Sequence, residues 1–158
     1  MHMRGDSMKI TRRKAMALGT AGALFAVFGS RVNRAHASAE KVDAALKAFA
    51  EGAEIGDGQI SLTTPEIAEN GNTVPISVEV DSPMTADNYV KSIMVLADGN
   101  PNPEVITFNF TAASGVAAAK TRIRLAKTQN VIAVAKMNDG SVHMAKNQVK
   151  VTIGGCGG

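Results

Sequence analysis

The chain has 158 residues, a single cysteine, no tryptophan and a formal net charge of +3. One cysteine excludes an internal disulfide framework, covalent haem attachment through C-x-x-C-H, and a cysteine-rich zinc site. The basic balance is not an argument for nucleic acid, because it belongs to the first 37 residues.

Those residues read as an export signal. Arg12-Arg13 opens the stretch Thr11-Arg12-Arg13-Lys14-Ala15-Met16-Ala17, a weakly apolar run follows from Ala15 to Gly29, and Ala35-His36-Ala37 closes it. A basic start, an apolar middle and an A-x-A end make a secretory signal, and adjacent arginines point to the twin-arginine route. Met8 is an alternative start. The apolar run is short of the ~20 residues that span a bilayer, so no membrane anchor is expected. Cleavage after Ala37 defines a signal peptide over 1–37 and a periplasmic mature chain. The signal holds seven of the 17 Lys/Arg and one of the 14 acids, leaving 10 Lys/Arg against 13 Asp/Glu, a net of −3, for residues 38–158. That remainder lacks the clustered aromatics and arginines that hold nucleic acid.

The mature chain opens on an amphipathic helix over 38–53. Ser38 is the expected N-cap, Val42, Ala45, Leu46 and Phe49 make the apolar stripe, and Gly52 is the stop. Ile55–Gln59 reads as a loop and Ile60–Thr63 as a short strand. Val74, Ile76, Val78 and Val80 alternate with polar positions, and Pro75 among them marks an edge or a strand start. Tyr89–Ala97 contains Ile93-Met94-Val95-Leu96, apolar on both parities, as in a strand covered on both faces. Asn100-Pro101-Asn102-Pro103 is a rigid loop. Strands follow over Glu104–Phe110, Ala119–Leu125 and Val131–Met137. Asn138-Asp139-Gly140 then signals a hairpin. Val142 and Met144 share one parity, and Val149, Val151 and Ile153 share the other. That phase change near Lys146-Asn147 predicts a bulge or a break.

Six or seven strands with closely spaced turn signals predict an all-β fold: an immunoglobulin-like β-sandwich over 38–153, with the helix at its N-terminus. A domain of this size can bury a core without staples.

Few residues outside the tail carry chemistry. His143 lies at an alternating position between Val142 and Met144 and reads as an ordinary surface or hydrogen-bonded histidine. Met84, Met94, Met137 and Met144 read as core fillers before they read as a soft contact surface. Lys120, Arg122 and Arg124 form a basic stripe on one strand, a solvated face or an attractor for anions. No metal or other cofactor is expected.

The tail is different. Val151 and Ile153 alternate with Thr152, and then Gly154, Gly155, Gly157 and Gly158 surround Cys156. Glycine visits φ > 0 freely and puts no bulk beside the sulfur, so 154–158 reads as an arm that threads a thiol into a narrow pocket. Three uses fit: a carrier thiol, an intermolecular disulfide tether, or a terminal Gly157-Gly158 used as a thiocarboxylate, as in small ubiquitin-like sulfur carriers. The export signal speaks against the third, whose activation needs cytoplasmic ATP.

The terminal Gly-Gly-Cys-Gly-Gly resembles the C-terminal arm of the Y subunit of the SoxYZ sulfur-carrier family. The signal, the length and the β body fit the same family. The resemblance implies a cofactor-free, non-enzymatic carrier that holds sulfur intermediates of thiosulfate oxidation on Cys156. It implies a Z-like partner subunit, and a c-type cytochrome, a sulfate-releasing hydrolase and a sulfur dehydrogenase that act on the cargo. No Lys, Arg or His lies within five residues of Cys156, so the thiol should keep ordinary acidity and be activated by its partners.

Overall fold

The computed structural model describes residues 38–154. Helix α1 covers residues 38–50 and ends where Glu51 and Gly52 turn to φ of 51° and 91°. Gly52 is thus part of the stop, as its freedom at positive φ requires. Ser38 does not cap the helix: it is already helical, and its hydroxyl donates to the carbonyl of Asp98.

Nine strands follow: β1 (Ile55–Asp57), β2 (Ile60–Thr63), β3 (Ile67–Ala68), β4 (Val74–Val80), β5 (Val90–Ala97), β6 (Glu104–Asn109), β7 (Ala117–Ile123), β8 (Gln129–Met137) and β9 (Val142–Val151). They form two open sheets. The larger runs β1-β9-β8-β5-β6, with β3 also paired to β9, and the smaller runs β2-β4-β7. The chain is therefore mostly β.

Two apolar clusters explain the layering. Ile93, Val95 and Ala97 of β5 share one cluster with Val74, Ile76, Val78 and Val80 of the small sheet. Met94 and Leu96 share the other with Val42, Ala45 and Ala50 of α1. The large sheet is covered on both faces, which is what the continuous apolar run of β5 requires. Met84 and Met137 are buried in the first cluster, Met94 is buried in the second, and Met144 packs against the second half-buried. The methionines are core.

Two further expectations change. First, β9 neither bulges nor breaks: it pairs with β8 in unbroken register from Lys136↔Val142 to Gln129↔Val149. The parity changes because the covering layer changes. Val142 and Met144 pack under α1, whereas Ala145, Val149 and Val151 pack toward the small sheet. Beyond Met144, the α1 face of β9 presents Lys146, Gln148 and Lys150 to solvent.

Second, the expected loop at Ile55 is strand β1, paired in parallel to β9 with Gly56 opposite His143. Strand β3, unforeseen, pairs in parallel with the far end of β9 at Lys150 and Val151. Both are too short for a hydrophobic period, and the free edge of β9 decides their conformation.

Pro75 meets the second of its two alternatives: β4 is central in its sheet, and Pro75, its second residue, stands at the strand start. Strand β2 pairs only with Ser77–Val80 of β4, so at Pro75 there is a partner, Arg122, on the β7 side alone. The missing N–H falls where the strand is locally an edge.

Candidate functional site at the exit of the C-terminal segment

Strand β9 delivers the tail to a prepared exit. The N–H of Lys150 donates to the Glu66 carbonyl at 2.9 Å, that of Thr152 to Ala68 at 3.1 Å, and that of Gly71 to the Ile153 carbonyl at 2.8 Å. The Thr152 hydroxyl donates to the Glu69 carbonyl at 3.1 Å. On the other side, the Val151 N–H donates to the Thr128 hydroxyl at 3.0 Å. The chain is thus bonded from both flanks up to Val151 and from one flank as far as Ile153, a residue 69% exposed.

Gly154 follows immediately and touches backbone. A Cβ at this position would lie 2.4 Å from the Ala126 carbonyl oxygen, well inside contact distance. Glycine is required here by close approach, apart from any need for flexibility.

The surface that meets Gly154 is held by a polar network. Gln129, the one buried polar side chain among the described residues, accepts from the Gly99 N–H at 2.6 Å. Its amide donates to Asn100 Oδ1 at 2.9 Å and to the Lys127 carbonyl at 3.1 Å. Asn100 also accepts from the Ala126 N–H at 3.0 Å and donates to the Arg124 carbonyl at 2.9 Å. The turn over residues 124–128 is thereby fixed from within by a half-buried polar network centred on Gln129. The loop at Asn100-Pro101 was legible as rigid; its role as clamp of the exit was not. Ala126, Gly71 and Gln129 carry no chemical signal in the sequence, and nothing in it marks them.

Of the predicted site residues, only Gly154 falls within the described region. Cys156, Gly155, Gly157 and Gly158 lie outside it, as do the export arginines Arg12 and Arg13. His143 is not at the exit. It lies near the opposite end of β9, eight residues before Val151, or roughly 27 Å along a strand. Cys156 is two residues beyond Gly154, a reach of about 7 Å. His143 is half-buried over Gly56, and its Nδ1 has no hydrogen-bond partner. Among the described residues no group of three or more His, Cys, Asp or Glu side chains is placed to hold a metal ion.

The basic stripe is where the sequence put it. Lys120, Arg122 and Arg124 are exposed, on and just beyond β7. Among the described residues the only ion pair joins Lys136 and Glu51, at 2.6 Å.

An open-sheet β protein whose last strand leads into a clamped, glycine-seated exit is the class defined by this arrangement. The sulfur oxidation protein SoxY family matches residues 45–156, a span that ends on Cys156. The chain belongs to this family. No curated protein matches it significantly. Among solved structures, the sulfur carrier protein SoxY from Chlorobium limicola f thiosulfatophilum is 32% identical. The alignment covers 73% of this chain and 99% of that one, with a TM-score of 0.61. The superoxide reductase (neelaredoxin) of Ignicoccus hospitalis is 19% identical, covering 60% of this chain and 80% of that one, TM-score 0.53. A putative superoxide reductase from Thermotoga maritima is 20% identical, covering 65% and 89%, TM-score 0.51. At such identities the reductases share the fold alone.

Proposed function

We propose that the chain carries sulfur intermediates covalently on Cys156 during thiosulfate or sulfur oxidation and presents them to partner enzymes. The observation that carries this reading is the family match, which reaches Cys156 itself. The similarity to a protein described as a sulfur carrier supports it. So does the exit, which bonds the chain up to Ile153, three residues before Cys156.

Loading joins thiosulfate to the thiol: R–SH and S2O3 2− give R–S–S–SO3 −, one proton and two electrons. The electrons pass to a c-type cytochrome. Water then displaces the terminal sulfone as hydrogen sulfate and leaves R–S–SH, the substrate of a sulfur dehydrogenase. In this reading the chain is not an enzyme, because the receiving sites supply activation and redox chemistry. It is an immunoglobulin-like sandwich, exported by the twin-arginine route to the periplasm and paired with a Z-like subunit. Residues 154–158 are its arm, which swings beyond the seat at Gly154.

The test is intact-mass measurement of protein purified from thiosulfate-grown cells, with turnover of parent and Cys156→Ser in the reconstituted system. Sulfur or thiosulfonate adducts on the C-terminal peptide and loss of turnover in the Ser variant are expected. Undiminished turnover by that variant ends the carrier reading. A protein–protein disulfide as the sole modification favours the tether instead.

A further inference from the structure

We infer that the outer face of the small sheet, along Lys120, Arg122 and Arg124, is the surface on which acidic rims of arm-receiving proteins dock. The inference rests on the carrier reading and adds to it the side from which partners approach.

The register defines the face. On β7, Lys120 stands opposite Ser77 and Arg122 opposite Pro75 of β4; Thr63 of β2 stands opposite Ser77 in turn. The cations therefore have small, uncharged neighbours. Glu79 is the acid on the same face of β4, and it pairs with Ala118, beyond Lys120 and away from Arg124. Positive charge thus increases toward one end of the sheet.

That end is the exit. Arg124 lies two residues before Ala126, against whose carbonyl Gly154 is seated. The Leu125 N–H donates at 2.7 Å to the carbonyl of Gly71, the residue whose own N–H holds Ile153. The stripe and the last bonded residue of the tail are joined by backbone hydrogen bonds. A partner seated on the stripe has the arm at its edge.

The shape selects a protein over a small anion. The hollow on this face, between Thr63, Thr64 and Pro65 on one side and Lys120 and Arg122 on the other, is broad and open, about 740 Å³. A small anion there keeps its water. Alternate residues of a strand are about 6.7 Å apart, so the three charges span roughly 13 Å. That matches a row of carboxylates on a protein surface. Charges at an interface rim act chiefly on the encounter rate and its salt dependence. An arm with about 7 Å of reach beyond Gly154 needs such orientation, since an encounter on another face leaves the thiol short of the pocket.

The experiment uses the full mature chain with its partner subunit and the purified sulfur-oxidising enzymes of the pathway. Parent, Lys120→Gln/Arg122→Gln/Arg124→Gln and Glu79→Gln are compared between roughly 10 mM and 300 mM salt, where screening goes from weak to strong. The triple variant should lose about tenfold in kcat/KM at low salt, with kcat unchanged and the salt dependence flattened. Glu79→Gln should match or exceed the parent. The rate of Cys156 with the neutral reagent 4,4′-dithiodipyridine should be equal in all three, which shows that the thiol itself is unaltered. Equal kcat/KM and equal salt slopes in parent and triple variant overturn the docking face and leave the carrier reading standing. No turnover of the parent, with its thiol intact, overturns both.

Discussion

Gly71 joins two chain segments that are more than 50 residues away in sequence. Its N–H donates to the Ile153 carbonyl at 2.8 Å, and its carbonyl accepts from the Leu125 N–H at 2.7 Å. The end of β9 is thus tied to the end of β7 through one residue. The tail leaves from a fixed point, and every residue that fixes it lies far from Cys156 in sequence.

Gly154→Ala tests the seat. The added Cβ must displace the Ala126 backbone or the tail itself. Overpacking typically costs about 1–3 kcal/mol, and a site near the chain end should fall at the low end of that range. We expect a melting temperature lowered by a few degrees and slower sulfur loading. Gly155→Val and Gly157→Val should slow loading while leaving the melting temperature unchanged, because bulk and stiffness beside the sulfur obstruct threading. Thermal unfolding and single-turnover loading of the three variants separate seat from arm. An unchanged melting temperature in Gly154→Ala would remove the seat, and equal loading by the two Val variants would remove the threading role.

The two-sided cover of β5 makes a paired prediction. Leu96 is fully buried toward α1, and Val95 is fully buried toward the small sheet. Leu96→Ala should cost about 2–5 kcal/mol, and Val95→Ala should be clearly destabilising as well. Denaturant unfolding measures both. A cheap Leu96→Ala would mean that α1 contributes no core.

Asn147 bridges the sheets. Its amide donates to the Leu62 carbonyl at 2.7 Å from the half of β9 that faces the small sheet. Asn147→Ala removes the donor and leaves that carbonyl short of a partner, at about 1–3 kcal/mol. The midpoint of urea unfolding should fall with no change in slope.

Two exposed carboxylates shape the acid limb of stability. Hydrogen bonding to Lys136, and then its positive charge, hold Glu51 below its ordinary range. The Ser141 hydroxyl and N–H, at 2.7 Å and 2.9 Å, do the same for Asp139. A lowered folded-state pKa stabilises above the unfolded value, near 4, and the contribution fades as pH falls through the folded value. Glu51→Gln and Asp139→Asn should therefore differ from the parent at pH 7 and converge with it in acid, once the pH has fallen through the lowered folded-state values. Solvent screening keeps both differences small. Unfolding midpoints across pH 2–7 give the comparison, and a gap that widened in acid would contradict the assignment.

Much of the body was written in local pattern. Alternation marks Val74–Val80, the doubly apolar Ile93–Leu96 requires two covers, and Asp139-Gly140 makes its hairpin, with Gly140 at φ 89°. The Gly-Gly-Cys-Gly-Gly end named its family by itself, since a sole cysteine between glycines is a chemical statement that needs no fold. Local pattern encodes that a face is buried, but not which layer buries it. The parity change in β9 therefore looked like a bulge, when α1 and the small sheet simply cover successive halves of one strand. Strands β1 and β3 came from the open edge of β9, a backbone demand with no side-chain period. Gly154 meets Ala126 through backbone atoms alone, so only the folded chain could set aside one of the four tail glycines as a seat and place it against the turn that follows Arg124.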